Sequence, residues 1–198
     1  GAVFVNDLFY IAGAGADNPT IYVMNRDGEV IDQFDQAGNG RYGYKDLAYD
    51  GELIWGSASD QIFGFRPNGD LVRTLESPCN PCNNITWDSQ RELLWVSSTT
   101  TNIFGLDAEG NAVEVLDRGT LRIYGLAYWE SDPDGFNLYI FNDDNEVADQ
   151  IVTRMNTSTG ESELVTILEP EGGGTPLSAF ITNRFDIYSW LFITVAND

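Results

Sequence analysis

Two loops of this 198-residue chain place an arginine beside phenols: Arg41, Tyr42 and Tyr44 in one, Arg122 and Tyr124 in the other. A guanidinium fork next to phenolic hydroxyls suits a carboxylate, a sugar or a peptide. The same grouping also serves simply to cover aromatic neighbours and cap acidic loops. A second chemistry is offered by acidic clusters. Asp132 and Asp134 lie in "DPDGFN", and Asp143, Asp144 and Asp149 lie in "DDNEVAD". Calcium takes several oxygen ligands, which both stretches supply, although neither follows the twelve-residue helix-flanked loop and turn-forming Asp and Gly account for both without a metal. A third possibility is Cys79 and Cys82, the only cysteines, in "CNPC". No helix follows them, as redox chemistry at that spacing needs, and no second pair or histidine completes a zinc site. The pair reads as a local disulfide of a secreted protein.

Composition narrows the classes. There are 31 acidic and 10 basic residues, a net charge of −21, one lysine (Lys45) and no histidine. Such a field repels phosphate backbones and anionic lipid, so nucleic-acid and membrane-surface partners are disfavoured. Without histidine, a His-dependent hydrolase, lyase or zinc enzyme needs another chain to complete it. The uncharged run "IYSWLFITVAN" near the C-terminus is far short of the ~20 residues of a spanning helix. The N-terminal "GAVFVNDLFY" lacks the basic start and long apolar stretch of a signal peptide, so any such leader is expected to have been removed or to lie outside this sequence.

The elements that position these residues repeat. "ELIWGS" from Glu52 is echoed by "ELLWVS" from Glu92, with "DLFYIAG" from Asp7 and "NLYIFND" from Asn137 as looser copies. A second strand follows each, starting at Ile21, Ile62, Ile103 and Ile151, so the period is 41, 41 and 48 residues. Each second strand ends at a glycine turn, Asp27-Gly28, Asn68-Gly69, Glu109-Gly110 and Thr159-Gly160, where a tight hairpin needs positive φ. A third strand leaves each turn, and a fourth precedes each echo: "DLAYD", "NITWD", "GLAYW" and "LSAFI". Four short strands at about 40 residues is the period of a β-propeller blade. No window holds helical spacing, and glycines interrupt almost every segment. Trp55, Trp87, Trp95 and Trp129 recur at repeat positions and read as packing between blades. The expected fold is therefore all-β, a propeller of about five blades of four-stranded antiparallel sheet, with blades near residues 1–36, 44–76, 83–117 and 124–168 and an incomplete one at 177–198.

The runs "DLAYDGELIWGSASDQIFGFRPNGDLVRTL" and "NITWDSQRELLWVSSTTTNIFGLDAEGNAVEVL" resemble the blades of secreted bacterial β-propellers of the NHL, YVTN and YWTD-like kind. That resemblance implies a domain of a multidomain surface or secreted protein, extracellular or at the cell surface. It carries no catalytic motif, because the fold hosts both enzymes and binding modules.

With strands lettered a to d outwards, the d-to-a and b-to-c loops, which hold Arg41, Tyr42, Tyr44, Arg122 and Tyr124, form the face where propeller ligands usually bind. The expected function is a non-enzymatic binding or scaffold module for a protein, peptide or glycan. The rival is a lyase or hydrolase using Tyr, Arg and carboxylates with bound calcium at the channel mouth. Ring closure is open in three ways: the last strands complete the N-terminal blade, for which only "AVFV" precedes the first echo; the chain continues beyond Asp198; or a neighbouring copy supplies a strand to the C-terminal edge, building oligomers or filaments. Five blades with an incomplete last one, continued by further chain, is the leading expectation.

Overall fold

The computed structural model describes residues 1–14, 18–38, 42–57, 59–143, 150–168, 175–186 and 188–197, with backbone alone at 175, 176, 196 and 197. Among the described residues there are eighteen strands and no helix. The first sheet is β1 (Ala2–Val5), β2 (Leu8–Gly13), β3 (Thr20–Met24) and β4 (Val30–Asp35). The second is β5 (Leu47–Tyr49), β6 (Ile54–Ser57), β7 (Gln61–Phe65) and β8 (Leu71–Glu76). The third is β9 (Asn84–Asp88), β10 (Leu93–Ser97), β11 (Ile103–Leu106) and β12 (Ala112–Leu116). The fourth is β13 (Arg122–Tyr128), β14 (Leu138–Asp143), β15 (Gln150–Met155) and β16 (Ser162–Leu168). The last holds two strands, β17 (Thr175–Thr182) and β18 (Leu191–Asn197). Within every sheet consecutive strands pair antiparallel, in chain order from first to last. The architecture is a β-propeller of four full blades and a two-stranded fifth.

Burial follows from position in the blade. The second strands lie between neighbouring sheets and read as nearly continuous apolar runs: every residue of "LLWVS" in β10 is buried. The outermost strands face solvent on one side, and "LVRTLE" in β8 is exposed at all but Leu75. Five apolar cores alternate with the blades. Ile21 and Tyr10 meet Ile54 and Phe65; Trp55 and Ile62 meet Ile85 and Leu94. Trp95 and Ile103 meet Leu126 and Ile140; Tyr139 and Phe141 meet Ala179 and Phe192. Finally Phe180, Ile193 and Val195 meet Ala2, Phe4 and Phe9, which closes the ring. Each fully buried Leu, Ile or Phe contributes roughly 1.5–3 kcal/mol, so the stabilisation is spread around the ring.

The turns between third and fourth strands use the expected glycines: Gly28, Gly69, Gly110 and Gly160 all have positive φ. At the turn after the first strand of the second, third and fourth blades a different device recurs. Asp50 Oδ1 accepts the amides of Glu52 and Leu53 while Oδ2 accepts Trp55 Nε1 at 2.7 Å. Asp88 does the same for Gln90, Arg91 and Trp95, and Asp132 for Asp134, Phe136 and the hydroxyl of Tyr139. The echoed tryptophans are thus fastened to the turn that introduces them, with their rings in the inter-blade cores.

Closure differs from the first of the three sequence possibilities. "AVFV" is not a lone partner but the innermost strand of a complete first blade, so β17 and β18 form their own sheet. Arg26 secures this seam. It pairs with Asp7 at 2.7 Å and donates to the carbonyls of Arg184 and Phe185. Its guanidinium also lies 5.2 Å from the Phe4 ring centroid and 4.9 Å from that of Phe185.

Candidate functional site

The innermost strands β1, β5, β9, β13 and β17 line the axis and touch in sequence around it. Where they begin, the axis is closed. Asp46, just ahead of β5, is fully buried. Its Oδ2 accepts the amides of Ile85 and Leu126, and its Oδ1 accepts the hydroxyl of Ser178 at 2.6 Å. Gly1 packs so tightly on Asp46 that a Cβ there would lie 2.5 Å from its Cα. Asp46, at the head of the second blade, thus touches the other four, three through its carboxylate and the first through its backbone. Beside it, buried Asn84 donates to Ser97 Oγ and to the carbonyl of Ile123. Gly125 completes the level, since a Cβ there would lie 2.4 Å from the Ala179 nitrogen. Burial pushes the Asp46 carboxyl up to about 7, against the downward pull of Ser178 and the two amides.

At the other end, where the inner strands finish, the axis widens into an open cavity of about 460 Å³. This falls within the ~300–1,000 Å³ range typical of small-molecule sites. Every blade contributes: Phe4, Tyr49, Trp87, Tyr128 and Phe180 from the inner strands or their ends, and Trp190 from the segment before β18. Its polar lining includes Asp50, Ser89, Glu130, Asn183 and Arg184. Asp50 is committed to its turn and to Trp55. Ser89 Oγ donates to Glu130 Oε2, and Tyr128 donates to Gln90 Oε1 at 3.1 Å. Arg184 and Asn183 are exposed, and their side chains make no hydrogen bond or ion pair among the described residues.

The cavity opens on the face opposite the loops singled out from sequence. Arg122 and Tyr124 do come together on that other face. Arg122 Nη1 lies 3.4 Å from Asp143 Oδ2, Tyr124 donates to the same oxygen at 3.1 Å, and the guanidinium sits 5.7 Å from the Tyr124 ring. Burial and then Asp143 raise the Tyr124 phenol above its ordinary value. It stays protonated and serves as a donor, not a base. Tyr44 is not a ligand residue. It is buried between the first two blades, stacked 5.9 Å from Phe63 with its hydroxyl on the Ala37 carbonyl. The segment after β4 folds inward there, so the loop reading gives way to core packing. Tyr42 is exposed and carries Lys45 over its ring at 5.0 Å. Arg41 lies outside the described residues, as do Asp144 and Asp149.

Asp132 and Asp134 face Arg154, at 3.4 and 2.9 Å, which also donates to Glu163. Burial works against ionisation of Asp132, but the Tyr139 hydroxyl, two turn amides and Arg154 outweigh it and hold the carboxyl below its usual value. A guanidinium thus occupies the place read as a calcium candidate. Among the described residues no group of three or more His, Cys, Asp or Glu side chains is arranged to hold a metal ion. Cys79 and Cys82 are joined as a disulfide, with Cα atoms 5.1 Å apart, in the link from β8 to β9. Asn156 Oδ1 caps the turn after β15. Trp87 and Trp190, half-buried at the mouth, were not separable in sequence from the tryptophans fully used in packing.

No protein-family model matches this chain, and no curated protein matches it. Among solved structures, a chain from the "Crystal Structure of Mitotic Checkpoint Complex" superposes with a TM-score of 0.56 at 11% identity, covering 90% of this chain and 52% of that one. The chain thus spans about half the length of that solved chain. The likeness is one of fold.

Proposed function

We propose that the chain is a non-enzymatic binding module of a secreted or cell-surface protein, taking a protein, peptide or glycan ligand at its channel mouth. The observation that carries this reading is the open cavity to which every blade contributes, lined by Phe4, Tyr49, Trp87, Tyr128, Phe180 and Trp190. The Cys79–Cys82 disulfide and the acidic, lysine-poor composition support an oxidising, extracellular setting. The blade motifs support kinship with secreted bacterial propellers of the NHL, YVTN and YWTD-like kind. For calcium, the remaining candidate is Asp143, whose Oδ1 has no hydrogen-bond partner among the described residues. A rise in melting temperature with calcium supports that site, and no change removes it.

Filling the mouth tests the main reading. Ser89 and Asn183 are exposed, so Ser89→Trp and Asn183→Trp should leave the fold intact. Native protein immobilised on a biosensor is expected to retain components of cell-envelope protein and polysaccharide fractions, and both variants to lose that retention at unchanged melting temperature. The reading fails if the variants bind as well as native protein. It also fails if native protein turns over chromogenic esters or glycosides and the variants do not.

A further inference from the structure

We infer that the channel mouth is a saccharide site, taking an uncharged sugar unit; this rests on the reading of the mouth as the binding site. Three features of the cavity converge on that chemistry. First, it presents aromatic faces together with planar polar groups. Trp87, Trp190 and Tyr49 line it and are only half-buried, so part of each ring remains open to a ligand. The C–H face of a pyranose packs on an indole or phenol, while its vicinal hydroxyls suit the paired donors of a guanidinium and the paired acceptors of a carboxylate.

Second, those polar groups have capacity to spare. The Arg184 guanidinium and the Asn183 amide are exposed and unpaired among the described residues, and Glu130 uses Oε2 for Ser89, leaving Oε1. Donor and acceptor groups thus stand at one rim, as a hydroxyl, which both donates and accepts, requires. Third, charge argues against the ionic alternatives. A net charge of −21 discourages an anion; against an inserted lysine or arginine stand the unpaired Arg184 and the commitment of Asp50 to its turn and Trp55, which leave Glu130 as the one lining carboxylate with an oxygen to spare. A neutral polyol meets neither penalty. The fully packed tryptophans Trp55 and Trp95, 4% and 0% exposed, are excluded from any such role, which separates the two mouth indoles from their repeat counterparts.

The test titrates native protein with cellotriose, maltotriose and chitotriose, following tryptophan fluorescence, at about 50 mM and about 500 mM salt. At least one trisaccharide should give a saturable signal with a dissociation constant on the order of 1 mM, unchanged by salt. Arg184→Ala removes an unpaired, exposed side chain, so its melting temperature should match native while binding weakens about tenfold. Trp190→Ala should weaken binding about tenfold and diminish the fluorescence response, with Trp87 left as the reporter. The inference is overturned if no trisaccharide saturates, or if binding survives both substitutions within twofold. It is equally overturned if trilysine saturates the signal and salt abolishes it, which would make the mouth a cation site. Should the saccharides fail while Ser89→Trp still loses envelope retention, the binding-module reading stands and the sugar assignment alone falls.

Discussion

Asp46 lets the axial contact be measured through pH. Its carboxyl is fully buried and its pKa is pushed up to about 7, from an ordinary value of 3.8. Across that interval the folded chain holds a proton that the unfolded chain has released. Unfolding free energy therefore falls as pH rises, at up to ~1.4 kcal/mol per pH unit. From about pH 4.5 to about pH 6 the loss amounts to roughly 2 kcal/mol, large against a total domain stability of about 5–15 kcal/mol. The Gly1 amino group, held down to about 6 by burial, works in the opposite sense above that value, so the lower window isolates the carboxyl. Urea unfolding of native protein and Asp46→Asn at both pH values makes the comparison. The amide cannot ionise, yet it keeps one acceptor for the Ile85 and Leu126 N–H groups and can donate to Ser178. Subtracting the two curves removes the self-repulsion of the other carboxylates, and the difference should show native protein losing about 2 kcal/mol relative to the variant. Parallel curves across the window would mean Asp46 is already ionised in the folded state and would refute the reasoning. Asp46→Ala should cost more at any pH, roughly 3–6 kcal/mol, because it strands two buried amides and a hydroxyl.

Gly125→Ala should be among the most damaging substitutions, since its Cβ would meet backbone atoms of Ser178 and Ala179 that no side-chain rotation relieves; a variant with the native urea midpoint would contradict the close approach of β13 and β17. Tyr139→Phe should lower stability by about 1–3 kcal/mol, because the buried Asp132 carboxylate loses its 2.6 Å donor; thermal unfolding by circular dichroism measures it. Deleting Asp186–Asp198 removes Ile193 and Val195 from the closing core and Phe192 from its neighbour, exposing Phe4, Phe9 and Tyr139. That protein should aggregate or unfold, and a monomeric product at native melting temperature in light scattering would argue against the seam.

The blades were legible because repetition amplifies weak signals. Isoleucines 41 residues apart and glycines at four matching turns locate strands that no single window would establish. The inward strand "AVFV" was legible only as a partner of uncertain place, since four apolar residues carry no mark of which edge of a sheet they occupy. The axis was not legible at all. Asp46 heads the quoted segment "DLAYD", yet nothing local distinguishes it from any polar residue at a strand start. Its role depends on five strand ends meeting at one point, a property of the assembled ring. Tyr44 misled for a related reason: a Gly- and Tyr-rich connection reads as surface, but packing against Phe63 and Phe65 draws it into the core. The turn aspartates Asp50, Asp88 and Asp132 were within reach, each standing five or seven residues before the aromatic it serves. They were hidden by the ordinary frequency of Asp in turns.

The plug formed by Asp46, Asn84, Ser178 and the two glycines turns the axial space from a tunnel into a blind cup. Anything entering must leave by the route it came. If the proposed ligand is a polymer, it cannot thread through the ring, and the base of the cup is reached by a chain terminus. Occupancy of that base then counts chain ends and not chain length. Cutting a polymer into shorter pieces would raise the number of sites available to this protein at constant mass, the opposite of what a groove-binding module would register.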